Sequence, residues 1–251
     1  MARLLWQRAE LTHHCHEPFE ARYWGGAGVE SVAAVLTRPM AVATGQRVAL
    51  DAVEGGGLLL KEMTFQLDPG EALFCARLTT CPVVLVVRDP RLSTTSRLRI
   101  LKELSNADTF APVQSGWPSL DEQVRLFQAA RLAYVIVDSD ALRTHPGPVL
   151  VDLAKRLGLS PWPEPLSWAP RPGLQLCAPE VGTLMGEGRA ADDPFYRRVL
   201  SSTGVEPPDA VDWEREEHHI ERAGLTTHVA AWRDIHQRLL DDPNLVGPRR
   251  G

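Results

Sequence analysis

At 251 residues, with a formal net charge of −5, 44% hydrophobic and 24% charged residues, the chain has the size and composition of an ordinary globular α/β domain. The acidic balance excludes general binding to nucleic acid or to anionic membranes, both of which need a basic footprint. No apolar run approaches the roughly 18 residues of a membrane span, and no signal-peptide pattern follows Met1.

In chain order, Leu4–Leu11 reads as the end of an amphipathic helix, and Leu11–Cys15 as a short strand entering His16-Glu17-Pro18-Phe19. Gly25–Gly28 is a turn signal, and Gly28–Leu36 has helical spacing that ends at Arg38-Pro39. The glycines at 55–57 lead into a strand, Leu58–Met63, and so present no helix start to a phosphate. Asp68-Pro69 opens a helix over Gly70–Leu78. Cys81–Val87 reads as the central strand, its Val83–Val87 run apolar and β-branched as in a buried parallel strand. Ser93 and Thr94 are the expected N-caps of a helix over Ser93–Leu104, and Ser119 with Glu122 of a capping box opening Ser119–Arg131. Tyr134–Asp138 is a strand, and His145–Leu157 a helix closed by Gly158. The segment 161–208 is rich in Pro, Gly and Trp, with only Phe195–Ser201 helical. A charged tail over 211–242 holds helices at Glu214–His219 and Thr226–Leu240, and Asn244–Gly251 reads as a frayed end. The expectation is a single α/β domain over 1–251, with a central mostly parallel sheet and flanking helices.

Arg88 falls at the carboxyl end of a strand, where open α/β sheets bind ligands. With Ser96 on the first turns of the next helix, it suits a phosphate monoester: a charged fork, a hydroxyl, and helix N–H groups. The plainer reading of Arg88 is a pair with Asp89 or another nearby carboxylate. The cluster His13-His14-Cys15-His16 offers metal-ligand atoms, but neighbours on a strand alternate faces, so at most two could converge. No metal is expected. No Gly-x4-Gly-Lys-Ser/Thr loop occurs, which argues against Mg²⁺-dependent phosphoryl transfer. A Lys61 Schiff base to pyridoxal phosphate lacks a phosphate cup. Cys15, Cys75, Cys81 and Cys177 form no Cys-x2-Cys pair; Cys75 and Cys81 read as reduced core thiols of a cytoplasmic protein. The loop Leu166–Gly173, with Trp162 and Trp168, reads either as closure of the core or as an acceptor pocket.

Cys81–Ile100, CPVVLVVRDPRLSTTSRLRI, resembles the sulfotransferase superfamily, and more closely a bacterial branch with a motif of roughly "RDPR-x-S-x-x-S". In that superfamily a strand-ending Arg and a Ser eight residues on hold the 3′-phosphate of the sulfate donor, 3′-phosphoadenosine 5′-phosphosulfate (PAPS). Arg88 and Ser96 match that spacing. His16-Glu17-Pro18-Phe19 resembles the family's "(H/G)EPF" element. Leu58–Met63 resembles its strand ending in lysine, and Tyr134–Asp140 with Ala141–Leu159 its late strand and helix. The likeness spans roughly positions 3 to 204. It implies Glu17 as the base, with His16 as a second candidate, and Lys61 approaching the donor's bridging oxygen. Cytosolic relatives carry a His two positions after that lysine; here Met63 stands there and cannot take a proton. Arg171 lies in a late loop unlike the family's better-known phosphate-binding one.

The family's phosphosulfate loop, of type "PRSGST", is missing from this sequence, and Met1–Arg8 resembles the helix that should follow it. We expect the natural start to lie upstream, and a chain without the strand before that loop to leave neighbouring strands with unpaired edges. The reading is a sulfotransferase moving a sulfuryl group from PAPS to a hydroxyl of a small-molecule acceptor, with no metal, nucleic-acid or membrane partner. The alternative is a non-catalytic or truncated protein of the same fold that binds a nucleotide or a partner.

Overall fold

The computed structural model describes residues 1–5, 8–26, 28–42, 46–53, 55–162, 166–168, 173–174, 189–190, 194–195 and 197–248. The elements, in order, are α1 (Ala2–Leu5), β1 (Leu11–His16), α2 (Glu20–Gly25), α3 (Val29–Leu36), β2 (Met40–Ala41), β3 (Gly57–Lys61), α4 (Pro69–Leu78), β4 (Val83–Val87), α5 (Pro90–Ser105), α6 (Trp117–Ala129), β5 (Tyr134–Asp138), α7 (Ser139–Thr144), α8 (Pro146–Leu157), β6 (Gly173–Leu174), β7 (Arg189–Ala190), α9 (Arg197–Ser201), α10 (Trp213–Arg222) and α11 (Thr226–Leu240). The protein is a mixed α/β structure with small sheets. It divides into two compact units, one of Met1–Leu67 with Ser167–Gly204 and one of Asp68–Leu166 with Val205–Gly251.

In the first unit β1 lies between β2, antiparallel, and β3, parallel, with His16 opposite Lys61. The register slips between Leu11 and His13. There the chains approach so closely that a Cβ on Gly57 would sit 2.7 Å from the Glu10 carbonyl oxygen. The glycines at 56 and 57 therefore serve strand pairing, and Gly57 N–H donates to that same carbonyl at 2.6 Å. Apolar burial comes from Leu4, Leu5, Cys15, Phe19, Val32, Val35, Met40 and Phe65. Of the helix expected over Leu4–Leu11, the described residues show α1 through Leu5, and Arg8–Glu10 are not helical. Strand β3 stops at Lys61 rather than Met63, because the chain turns at Thr64–Gln66.

In the second unit β4 and β5 run parallel, from Val83 opposite Tyr134 to Val87 opposite Asp138. All five residues of β5 are buried, whereas Val86 of β4 is exposed. The terminal segment explains the difference and corrects the expectation of a frayed end. Ile136 N–H donates to the Asn244 carbonyl and Val246 N–H to the Ile136 carbonyl, at 2.9 and 2.8 Å, so this segment closes the other edge of β5. The central place expected for β4 falls to β5 among the described residues. Helices α7, α8 and α11 pack on β5. The apolar stripe Val149, Leu150, Leu153 and Leu157 faces inward from α8, which Gly158 closes in a left-handed conformation as expected.

Capping decided two further boundaries. Helix α5 begins at Pro90, not Ser93, because Asp89 accepts from Arg91 N–H and serves as N-cap. Helix α6 begins at Trp117 behind Gly116, so Ser119 lies inside it and caps nothing. The capping box appears at α4, between Asp68 and Glu71. Cys15 is buried and donates to the Val35 carbonyl, but Cys81 is exposed, which corrects its reading as a core thiol. Residues 169–172 of the loop Leu166–Gly173, Arg171 among them, and Cys177 beyond it lie outside the described residues.

Candidate functional site

The parallel register of β1 and β3 brings together two residues that are 44 positions apart. Glu17 N–H donates to the Lys61 carbonyl at 2.7 Å, one step beyond the pair His16 and Lys61. The turn places Glu17 in the left-handed region, at φ 46°, which a non-glycine residue enters only when its surroundings hold it there. The Glu17 carbonyl accepts from Glu20 N–H at 3.0 Å, and α2 begins. Glu17 is 6% exposed.

Its carboxylate is heavily committed. Oε1 forms an ion pair with Lys61 Nζ and lies 3.2 Å from His16 Nε2, while Oε2 accepts from Gln66 Nε2 at 3.3 Å. Burial raises the Glu17 pKa, but Lys61's charge and the His16 contact overcome it and hold the carboxyl well below the ordinary range. Gln66 is 2% exposed, and its Oε1 has no hydrogen-bond partner among the described residues. Lys61 is itself no freely solvated lysine, its side chain being only 27% exposed.

Sequence reasoning passed over Glu62. Its Oε2 accepts from Phe19 N–H at 2.9 Å and its Oε1 from Met63 N–H at 2.7 Å, which ties the end of β3 to the start of α2. Burial and the neighbouring Glu17 charge push its pKa up to about 8, against those two N–H groups and Lys61, which favour the anion. The signal available was its place beside a strand-end lysine. Two carboxyls at the ends of neighbouring strands thus have pKa values moved in opposite directions, a pattern common where protons are handled.

Arg88 and Ser96 lie in the second unit. Arg88 follows β4, half-buried, at the edge that also carries Asp89, Asp138 and Asp140. Asp140 is raised by burial and by Asp138, and Arg88's charge opposes that rise. Ser96, half-buried, sits roughly 9 Å along α5 from Pro90. The start of α5 is less open to an anion than the sequence suggested. Pro90 has no N–H, and Arg91 donates its N–H and its guanidinium to Asp89, at 2.8 and 2.9 Å. One neighbouring group does call for a partner: Thr94, 2% exposed, has a hydroxyl without a hydrogen bond among the described residues.

His13, His14, Cys15 and His16 alternate along β1, and no group of three or more His, Cys, Asp or Glu among the described residues is arranged to hold a metal ion. Among those residues no helix is long and apolar enough to cross a membrane. No family model, no curated protein and no solved structure matches this chain.

Proposed function

We propose that this protein is a sulfotransferase, moving a sulfuryl group from PAPS to a hydroxyl of a small-molecule acceptor in the cytoplasm. The observation that carries the reading is the Lys61–Glu17 pair. The resemblance assigns both residues to one reaction from separate motifs, and they meet at the carboxyl ends of two parallel strands. The fold proposed with it is a central, mostly parallel sheet with flanking helices, supported by the parallel pairings β1–β3 and β4–β5.

In this reading the acceptor oxygen attacks sulfur in line, and negative charge grows on the oxygen leaving with the nucleotide. Lys61 neutralises that charge, and a carboxylate in its turn takes the acceptor's proton. Glu17 is the carboxylate the resemblance gives to that step. Arg88 and Ser96 hold the donor's 3′-phosphate, the guanidinium as a bidentate fork and the hydroxyl as a further donor. The test is release of 3′,5′-adenosine bisphosphate from PAPS with panels of phenols, alcohols and sugars. Acceptor-dependent release supports the reading, and none from a folded sample overturns it.

A further inference from the structure

Two glutamates flank Lys61, Glu62 beside it in the chain and Glu17 across from it at the end of β1, and the structure sets them apart in residue exposure and in hydrogen bonding. Glu17 is 6% exposed, and its oxygens are taken by Lys61, His16 and Gln66. A hydroxyl approaching it would have to displace a cation from a buried carboxylate. Glu62 is half-buried as a residue, against 6% exposure for Glu17. Each of its oxygens accepts one backbone N–H, from Phe19 or Met63, and keeps a lone pair for another donor.

We infer that Glu62 is the residue that takes the acceptor's proton, and that Glu17 is a positioning residue that fixes the Lys61 ammonium. The assignment rests on the sulfuryl-transfer reading. The acceptor oxygen bonds to the donor's sulfur as its O–H proton passes to a Glu62 carboxylate oxygen. The bond from sulfur to the 5′-phosphate oxygen breaks, and its electron pair leaves on 3′,5′-adenosine bisphosphate. Glu62 then returns the proton to water. The groups facing Glu62 act in a consistent sense: Glu17's charge raises its proton affinity, and Lys61 with the two N–H groups lowers it. With its pKa pushed up to about 8, Glu62 is a far stronger base than Glu17, which is held well below the ordinary range.

The experiment measures pH–rate profiles of the full chain with PAPS and the best acceptor for the wild type, Glu62→Gln, Glu62→Asp and Glu17→Gln. The wild-type rate should rise through a limb near pH 8. Glu62→Gln should remove that limb and lower kcat by about 100-fold or more, with the KM for PAPS nearly unchanged. Glu62→Asp should restore part of the rate. Glu17→Gln should move the limb to lower pH, because Glu62 loses a negative neighbour. A limb that survives Glu62→Gln overturns the assignment while leaving the sulfuryl-transfer reading intact. A folded wild type that transfers to no acceptor overturns both.

Discussion

Replacing Glu62 by Gln should change stability with opposite sign at the two ends of the pH range. The side chain goes from an ordinary glutamate value of 4.5 to about 8 on folding. A folded-state pKa above the unfolded one means that the native protein binds the extra proton between those values. The associated stability is therefore full below the unfolded pKa and lost as pH rises through the folded one. At about 1.4 kcal/mol per pH unit the full loss is about 5 kcal/mol, and partial exposure reduces it to an order of 2–5 kcal/mol. Glutamine has no such loss. It keeps one acceptor oxygen, however, so either the Phe19 or the Met63 N–H goes without its partner, at about 1–2 kcal/mol. The variant should be less stable than wild type near pH 5 by about 1–2 kcal/mol, and more stable near pH 9 by on the order of 1–3 kcal/mol. Urea unfolding across that range, compared at equal m, reads the crossing directly. Two curves that stay parallel, with the variant weaker throughout, would show that Glu62 titrates in the ordinary carboxylate range.

Lys61→Met removes the cation from a carboxylate whose side chain is 5% exposed, and should cost about 2–4 kcal/mol at pH 7. Because Glu17's lowered pKa stabilises the protein above the unfolded value, that deficit should shrink as pH falls below about 4.3; an equal deficit at pH 4 and 7 would refute the pair's role. Val246→Ala, at a residue 1% exposed beside β5, should cost about 2 kcal/mol in thermal or urea unfolding, and an unchanged midpoint would mean that the terminal segment does not brace the sheet. Arg88→Ala should weaken binding of 3′,5′-adenosine bisphosphate by about tenfold or more while leaving 5′-AMP binding nearly the same, as expected for a lost bidentate phosphate contact; equal losses for both would place the guanidinium elsewhere on the nucleotide.

Local signals read well from the sequence where they were self-contained. The five-residue run Tyr134–Asp138, the helix over Thr226–Leu240 and the left-handed Gly158 each carry their own periodicity or cap, and each falls where expected. Boundaries set by competing caps did not. Asp89 outcompetes Ser93 because its carboxylate binds both the Arg91 N–H and its guanidinium, and a capping pattern at Ser119 counts for nothing one turn inside a helix. The terminal segment reads as a frayed end because its polarity masks Leu245 and Val246, whose burial depends on a strand more than 100 residues earlier. At the site, Glu17 and Lys61 were legible as motif positions, but their contact needs the register of β1 and β3. Glu62 was invisible for a related reason: its proton affinity comes from burial and from a neighbour brought by folding.

The most direct test of the sulfotransferase account is calorimetric titration of the 251-residue chain with 3′,5′-adenosine bisphosphate, with 5′-AMP as the comparison ligand. The account predicts saturable binding of the bisphosphate, tighter than that of 5′-AMP by about tenfold or more, the contribution of a bidentate charged contact to the 3′-phosphate. Equal binding of the two nucleotides, or no heat from either with a folded sample, would contradict it.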